Sequence, residues 1–359
     1  MTRQAVQDGK GGTKRSVARR IIGAKTDHHT RFLFVLVALI FALMSLAMPS
    51  QFPTRANLES MAFQMSEVGI LTVAMALAML IGGIDLSITA TANLSAIAAG
   101  LVLTRSGAAG LRTVEALPII LLAIVTAIVV GLACGLVNGL LIGRVGVPAI
   151  LATLGTLMLY TGIAYGVTRG RAVHGLPSQV LFLGNGRLLG IPLPLVVFLA
   201  VLALLSAALK RTAFGFKVYM LGSNPIAARF SGIDNPEIIL KTHVIAGVLS
   251  AVTGIVILAR TNSANADYGS SYILMTILVA VLGGVAVTGG SGRLAGVALA
   301  LAALQMLSTG LNMFLLRFSG SNFFRDFAWG FLLLFVMVSE HMYHRGGVRK
   351  LWHRILPRK

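Results

Sequence analysis

The chain has 359 residues, of which 56% are hydrophobic and only 11% are Asp, Glu, Lys or Arg. An ordinary soluble domain carries about 25% of these charged residues, so a chain of this composition is unable to cover a water-facing surface and is predicted to lie in lipid. The 30 Lys and Arg residues exceed the 11 Asp and Glu residues, but they lie in the termini and in short loops, which argues against nucleic acid as a partner.

The apolar runs predict an all-α integral membrane protein with about ten transmembrane helices, since a helix needs about 17–25 mostly apolar residues to cross the ~30 Å hydrocarbon core. An even number of spans with both termini in the cytoplasm places most Lys and Arg residues on the cytoplasmic side, as membrane proteins prefer. The predicted spans lie near residues 32–48, 61–81, 86–103, 117–142, 148–168, 191–209, 238–259, 272–288, 294–316 and 327–341.

These spans make up a transmembrane domain over residues 32–341, flanked by two basic tails. The N-terminal tail, 1–31, is polar and is predicted to be disordered and to lie in the cytoplasm. The C-terminal tail, 342–359, is also predicted to be cytoplasmic.

The first interruption follows the second span, at Gly82-Gly83-Ile84-Asp85-Leu86-Ser87. Gly82 and Gly83 break the helix, and a carboxylate at bilayer depth costs roughly 2.5–3.5 kcal/mol. Asp85 or Ser87 either caps the next helix, by accepting hydrogen bonds from its free amides, or is a polar element on a solute path. Asn93 adds polarity to the same span.

Polar residues recur in the fourth and fifth spans. Asn138 needs a partner inside the bundle, because lipid offers none. Thr153 and Thr156 are three residues apart and therefore share one helical face. These side chains either form interhelical hydrogen bonds or line a polar pathway.

The longest internal hydrophilic segment, 210–237, contains the run Gly222-Ser223-Asn224-Pro225-Ile226-Ala227-Ala228-Arg229-Phe230-Ser231-Gly232-Ile233. Asn224 followed by Pro225 predicts the cap and first turn of a short helix that ends at Gly232. On the cytoplasmic face, such a helix either lies at the headgroup boundary or docks onto a cytoplasmic partner.

Together, these segments resemble the membrane permease subunits of ATP-binding-cassette importers for ribose, xylose, arabinose, rhamnose and autoinducer-2. The resemblance covers roughly residues 32–340, although the loop 169–190 has no counterpart that we can match and the glycine-rich stretch reads Val-Ala-Val-Thr before its second group of glycines. The stretches that carry it are 82–87, 138–156, 222–233, 282–293 and the C-terminal stretch from 310 onward.

The resemblance implies a permease of the bacterial inner membrane that pairs with a second permease, as a homodimer or a heterodimer. Two cytoplasmic ATPase subunits, or one tandem ATPase chain, would hydrolyse ATP, and a periplasmic binding protein would deliver a sugar or sugar-like neutral solute. Segment 210–237 would then be the coupling segment. Its ATPase-contacting residues would be Asn224, Ala227, Ala228, Ser231 and Gly232.

No catalytic or metal site is predicted, and this chain is expected to bind no cofactor. The stretch from Gly284 to Gly290 lacks the Lys-Ser/Thr that a phosphate-binding loop requires, so ATP and Mg²⁺ are expected on the partner ATPase. Two alternatives stay open. One is a secondary transporter driven by an ion gradient, in which Glu67 and Asp85 would be the intramembrane acids. The other is an ATP-driven permease for branched-chain amino acids.

Overall fold

A computed structural model describes the backbone of residues 11–315, the side chains of 29–314 except that of Ala109, and the isolated positions Phe327, Gly330, Phe331, Leu334 and Val338. In this part of the chain, the elements are α1 (Gly11–Ala47), α2 (Arg55–Leu80), α3 (Ile88–Arg105), α4 (Thr113–Leu140), α5 (Ala149–Thr168), β1 (Val173–His174), α6 (Ser178–Asn185), β2 (Arg187–Leu188), β3 (Ile191–Pro192), α7 (Leu193–Arg211), α8 (Ala213–Ser223), α9 (Pro225–Phe230), α10 (Asn235–Thr261), β4 (Ser263–Ala264), α11 (Tyr272–Leu282) and α12 (Leu294–Leu315).

Eight helices of the described part are long and apolar enough to cross a bilayer: α1 from His29, α2, α3, α4 with its π-helical extension to Val145, α5, α7, α10, and α12 as far as Phe314. Each coincides with a predicted span to within a few residues at most ends. The predicted span 327–341, apart from isolated positions, and the predicted tail 342–359 lie outside the described residues.

The predicted span 272–288 is wrong in extent. Helix α11 ends at Leu282, and its 11 residues rise only about 16 Å, so the helix alone is too short to cover the whole of this predicted span. The cause is Gly284, whose φ of +87° turns the chain out of the helix. The amides of Gly284 and Val285 then donate back to the carbonyls of Val281 and Ala280, at 2.9 and 3.0 Å, as at many glycine-terminated helices.

Two segments contain helix beyond what was predicted for them. Helix α1 begins at Gly11, so much of the tail predicted to be disordered extends the first span, and Lys, Arg and Ala are residues that favour a helix. Residues 1–10 lie outside the described part. In the coupling segment, α8 precedes the predicted short helix and buries Val218 and Leu221; this apolar face explains why it is ordered against the bundle.

The connection between α5 and α7, which matched no recurring family stretch, is also ordered. Strand β1 pairs antiparallel with β4, with Val173 opposite Ala264, and β2 pairs with β3 in a hairpin. Between them, α6 packs against the end of α10, where Asn185 Nδ2 donates to the Ala259 carbonyl at 3.1 Å.

Helix α10 is central and packs against α4, α3 and α2. At its contact with α4, a Cβ atom on Gly131 would lie 2.4 Å from the carbonyl oxygen of Gly247. The two backbones therefore touch, which only small residues permit. This close approach is typical of helix pairs in lipid, where packing and not the hydrophobic effect holds helices together.

A second close approach joins three segments at what we call the glycine junction, formed by Gly82, Gly222, Gly289 and Gly290. The amide of Gly290 donates to the carbonyl of Leu80, the last residue of α2, at 2.9 Å. A Cβ atom on Gly222 would lie 1.9 Å from the same carbonyl oxygen and 2.4 Å from the amide nitrogen of Gly290. The end of α8 thus lies directly on the break after α2.

The substitution Gly222→Ala should therefore destabilise the protein by about 1–3 kcal/mol, because the added methyl group overpacks a contact made only by backbone atoms. The expected result is a lower apparent melting temperature of the detergent-purified protein. Gly155→Ala is the matched control, since a Cβ atom there meets nothing within 4 Å. Equal melting temperatures for the two variants would contradict the junction.

Candidate functional site

Five buried polar side chains from separate segments form one hydrogen-bonded cluster, which we call the polar network: Asp85, Ser87, Asn138, Thr156 and His243. His243 Nδ1 lies 3.1 Å from Asp85 Oδ2, and Ser87 Oγ donates to Asp85 Oδ1 at 2.7 Å. Asn138 Nδ2 donates to Ser87 Oγ, and Thr156 Oγ1 donates to Asn138 Oδ1, both at 2.7 Å. The network therefore joins the α2–α3 break to α4, α5 and α10.

Each of these five residues is at most 4% exposed in the single chain. A fifth contact supports the same break, because Thr153 Oγ1 donates to the backbone carbonyl of Ile84 at 3.1 Å. Polar groups buried in a membrane protein need hydrogen-bond partners within the protein. Here each side chain of the polar network is the partner of another side chain of the network. The geometry is that of a structural tie between helices.

The structure modifies the prediction for the cap of α3. Ser87 stands at the cap position but its side chain makes no capping hydrogen bond. Instead, Asp85 Oδ1 accepts the amide of Ser87 at 3.0 Å, so the carboxylate stabilises the turn that leads into the helix. Of the two glycines before it, Gly82 is exposed and has a φ of +82°, whereas Gly83 is buried.

Asn93 does not belong to the polar network. Its Nδ2 donates to the carbonyls of Ala266 and Tyr268, at 2.8 and 3.0 Å, and so fastens α3 to the connection between α10 and α11. His243, by contrast, is a member that sequence reasoning missed. The available signal was a titratable side chain inside an otherwise apolar span, which is costly unless it is paired.

Replacing His243 by Ala should leave the Asp85 carboxylate without this partner and destabilise the protein by about 1–3 kcal/mol or more, the cost of an unsatisfied buried polar group. The measurement is the apparent melting temperature in detergent. Ser250→Ala is the control on the same helix: Ser250 is equally buried, but its hydroxyl donates only to Ala246 of its own helix. A loss no larger than that of the control would contradict the tie.

The short helix α9 has the predicted cap, because Asn224 Oδ1 accepts the amides of Ile226 and Ala227, both at 3.0 Å. Its sides differ in exposure: Ala228 is buried, whereas Ile226 is 70% and Phe230 is 90% exposed. Sequence reasoning did not single out these two apolar residues. They make α9 a projecting hydrophobic feature beside a hydrophilic loop.

The predicted residues around α9 adopt compatible geometry. Ala227, Ser231 and Gly232 are exposed, and Ser231 Oγ donates to the Ala227 carbonyl at 2.9 Å. Gly232 has a φ of +78°, a conformation that glycine adopts at little cost. It ends the helix and turns the chain into α10, whose Asn235 side chain donates to the Pro225 carbonyl at 2.8 Å.

A charge pair between the buried Glu67 and the partly exposed Arg260 links α2 to the far end of α10. Arg260 binds Glu67 through two nitrogens, one of them Nη2 at 3.1 Å from Glu67 Oε2. Tyr268 OH accepts from Arg260 Nη2 at 2.8 Å and donates to Glu67 Oε2 at 3.3 Å. Burial raises the pKa of the Tyr268 phenol, so that it stays protonated and able to donate.

Next to this pair lies an open polar cavity of about 330 Å³, which we call the polar pocket. Its walls come from the first turns of α2, from α6 and β2, and from the end of α10. The lining residues are Ala56, Glu59, Ser60, Phe63, Gln64, Asn185, Arg187 and Arg260. None of them was singled out as a site residue from the sequence.

Among the described residues, no group of three or more His, Cys, Asp and Glu side chains is placed to hold a metal ion.

Comparison with known proteins gives a consistent set of relatives. Residues 57–338 match the profile of the family described as "Branched-chain amino acid transport system / permease component". The ribose import permease protein of Bacillus subtilis (strain 168) is 33% identical over 311 residues, covering 86% of this chain and 90% of that protein.

Two further relatives are permease proteins of autoinducer 2 import systems. The one from Klebsiella pneumoniae is 32% identical over 298 residues, 81% of this chain and 86% of that protein. The one from Yersinia pestis (strain Pestoides F) is 31% identical over 252 residues, 68% of this chain and 72% of that protein. No solved structure matches the chain.

Proposed function

Since the chain belongs to the transport-system permease family defined by that profile, we propose that it is the membrane-embedded subunit of an ATP-driven importer. It is a permease of the sugar-importer type, as its relatives for ribose and autoinducer 2 are, and a multi-pass protein of the bacterial inner membrane. The solute is a sugar or a sugar-like neutral molecule.

The observation that best supports the coupling role is the projecting helix α9. Phe230 is 90% exposed and Ile226 is 70% exposed on a helix of six residues, and exposed apolar groups rimmed by polar ones mark protein contacts. We assign α9 as the coupling helix that docks into a cytoplasmic ATPase. Asn224 and Gly232 fix its two ends, and Ala227, Ala228 and Ser231 lie between them.

The partners follow from this assignment. A second permease, identical or a sister chain, completes the pore, and two ATPase subunits or one tandem ATPase chain bind below it. ATP and Mg²⁺ are held there and not on this chain. A periplasmic sugar-binding protein delivers the solute from the other side.

The proposed orientation has about ten spans with both termini in the cytoplasm, which places α9 inside and α6 outside. Cys134 is the single cysteine of the chain and is 5% exposed, so an introduced thiol can be labelled selectively. In intact spheroplasts, a membrane-impermeant maleimide should label Ser178→Cys but not Ser231→Cys.

After the membrane is opened, both variants should react when the chain is expressed without the ATPase, because both positions are exposed in the single chain. The reverse pattern, with only Ser231→Cys labelled in intact cells, would overturn the orientation.

The secondary-transporter alternative is disfavoured by the pairing of its candidate acids. Glu67 is bound by Arg260, and Asp85 contacts His243, so each already has a partner in the resting chain. The alternative of branched-chain amino acids takes support from the family description. The three relatives named above are instead import permeases for ribose and autoinducer 2.

In the proposed mechanism, closure of the ATPases upon ATP binding pushes α9. The movement passes into α10, which follows α9 after four residues and carries His243 of the polar network. It also passes through α8 to the glycine junction, where Gly222 contacts the end of α2. The permease pair then changes from inward-facing to outward-facing, and the binding protein supplies most of the selectivity.

This proposal is tested with the chain reconstituted in proteoliposomes with the ATPase and binding protein encoded beside it. Ribose uptake should require ATP and both partners. Asn224→Lys and Gly232→Trp should reduce uptake at least about tenfold while ATP hydrolysis persists without stimulation by the binding protein, because the coupling helix loses its cap or its end.

Gly107→Trp is the matched control, since Gly107 also has a positive φ, +66°, and an added Cβ atom there meets nothing within 4 Å. It lies at the end of α3, away from α9. Normal coupled uptake by the α9 variants would refute the docking role, and uptake without ATP would refute the importer.

A further inference from the structure

We propose that the polar pocket is an outward-facing binding site for a neutral sugar, which receives the solute before it enters the bundle. This inference rests on the proposed sugar-import function and adds the place on this chain where the sugar is first held. The residues assigned to it are Ser60, Phe63, Gln64, Asn185 and Arg260, with Glu59 and Arg187 at the rim.

The first ground is polarity at membrane depth. Gln64 is nine residues beyond Arg55, the start of α2, which places it roughly 13 Å along the helix axis. It is nevertheless exposed, as is Ser60 one turn before it. Polar side chains at this depth seldom face lipid, because lipid leaves them unsatisfied. This side of α2 therefore faces an aqueous cavity.

The second ground is that these polar groups are held in place. Gln64 Nε2 donates to Ser60 Oγ at 3.1 Å, and Gln64 Oε1 accepts from Gln305 of α12 at 3.2 Å. Asn185 is bound to the end of α10 through its Nδ2. Side chains fixed in this way lose little entropy when a ligand binds, which favours recognition by a preformed site.

The third ground is the charge balance. The two arginines that line the pocket are each bound to a glutamate: Arg187 Nη2 lies 2.6 Å from Glu59 Oε2, and Arg260 pairs with Glu67. Each lining arginine is thus paired with a carboxylate, although Glu59 also binds Arg55, which lies outside the pocket, at 2.9 Å. Such a site offers many hydrogen-bond donors and acceptors without favouring a charged ligand.

The fourth ground is size and composition. The cavity of about 330 Å³ is within the range of small-molecule sites, which combine a few placed polar groups with aromatic or apolar surface. Phe63 is half-buried in the wall and offers a ring against which the C–H face of a sugar can pack. Amides, hydroxyl and guanidinium groups around it match the hydroxyl groups of the sugar.

The test uses the assembled transporter in spheroplasts freed of binding protein, with D-ribose as the probe. Gln64→Cys should react with a charged, membrane-impermeant thiol reagent, and ribose should slow that reaction at least about threefold. An equal concentration of leucine should leave the rate unchanged. Ser178→Cys, on the same helix as Asn185 but outside the pocket, is the control and should react equally with and without ribose.

Three results would overturn the proposal: no reaction at Gln64→Cys, no protection by ribose, or protection by leucine. The labelling is independent of transport, so its failure is separable from that of the import function. If reconstituted wild-type protein takes up ribose with ATP and the binding protein but Gln64→Cys is unprotected, only the pocket fails. If wild-type uptake is absent, the import function fails.

A transport measurement gives a second readout. Gln64→Ala should raise the sugar concentration for half-maximal uptake, or lower the maximal rate, at least about threefold, while the affinity of the binding protein for ribose is unchanged. Gln179→Ala is the matched control, because Gln179 bonds Thr113 away from the pocket. Equal uptake by the two variants would contradict a role of Gln64 in holding the solute.

Discussion

The chain that connects α2 to α3 turns between packed helices, where buried backbone and side-chain polar groups need hydrogen-bond partners, and distant segments supply these partners. The carbonyl of Leu80 accepts from Gly290, that of Ile84 accepts from Thr153, and the carboxylate of Asp85 contacts His243 and Ser87. The packing of α4, α5, α8 and α10 around this point follows from the need to supply these partners.

The same connection between α2 and α3 is contacted by the helices on both sides of α9. Helix α8 reaches it through Gly222, at the glycine junction, and α10 reaches it through His243, at the polar network. Helix α9 is held between them by the chain itself. A displacement of α9 can therefore reach the connection between α2 and α3 through two contacts, the glycine junction and the polar network. Small displacements are amplified in this way where packed elements have two discrete arrangements.

Much of this arrangement follows from local pattern. Long apolar runs predict the spans, and Asn224-Pro225 predicts the cap of α9. Gly82-Gly83 predicts the break. Asp85 and Ser87 were predicted to cap a helix or lie on a solute path, and Asn138 and Thr156 to form hydrogen bonds between helices or line a path. Their partnership with His243 was not predictable, because no sequence rule pairs residues 158 positions apart. The polar pocket was missed for the same reason: it exists only where the start of α2 and the end of α6 meet the end of α10.

The pairing of Glu67 with Arg260 also has a consequence for biogenesis. The two residues are 193 positions apart, and a ribosome adding 5–20 residues per second needs about 10–40 s to make the intervening chain. Throughout that interval, α2 is in the membrane with its acid unneutralised. We therefore expect α2 to reach its final packing only when α10 arrives, and a chain cut short before residue 260 lacks the partner of this carboxylate.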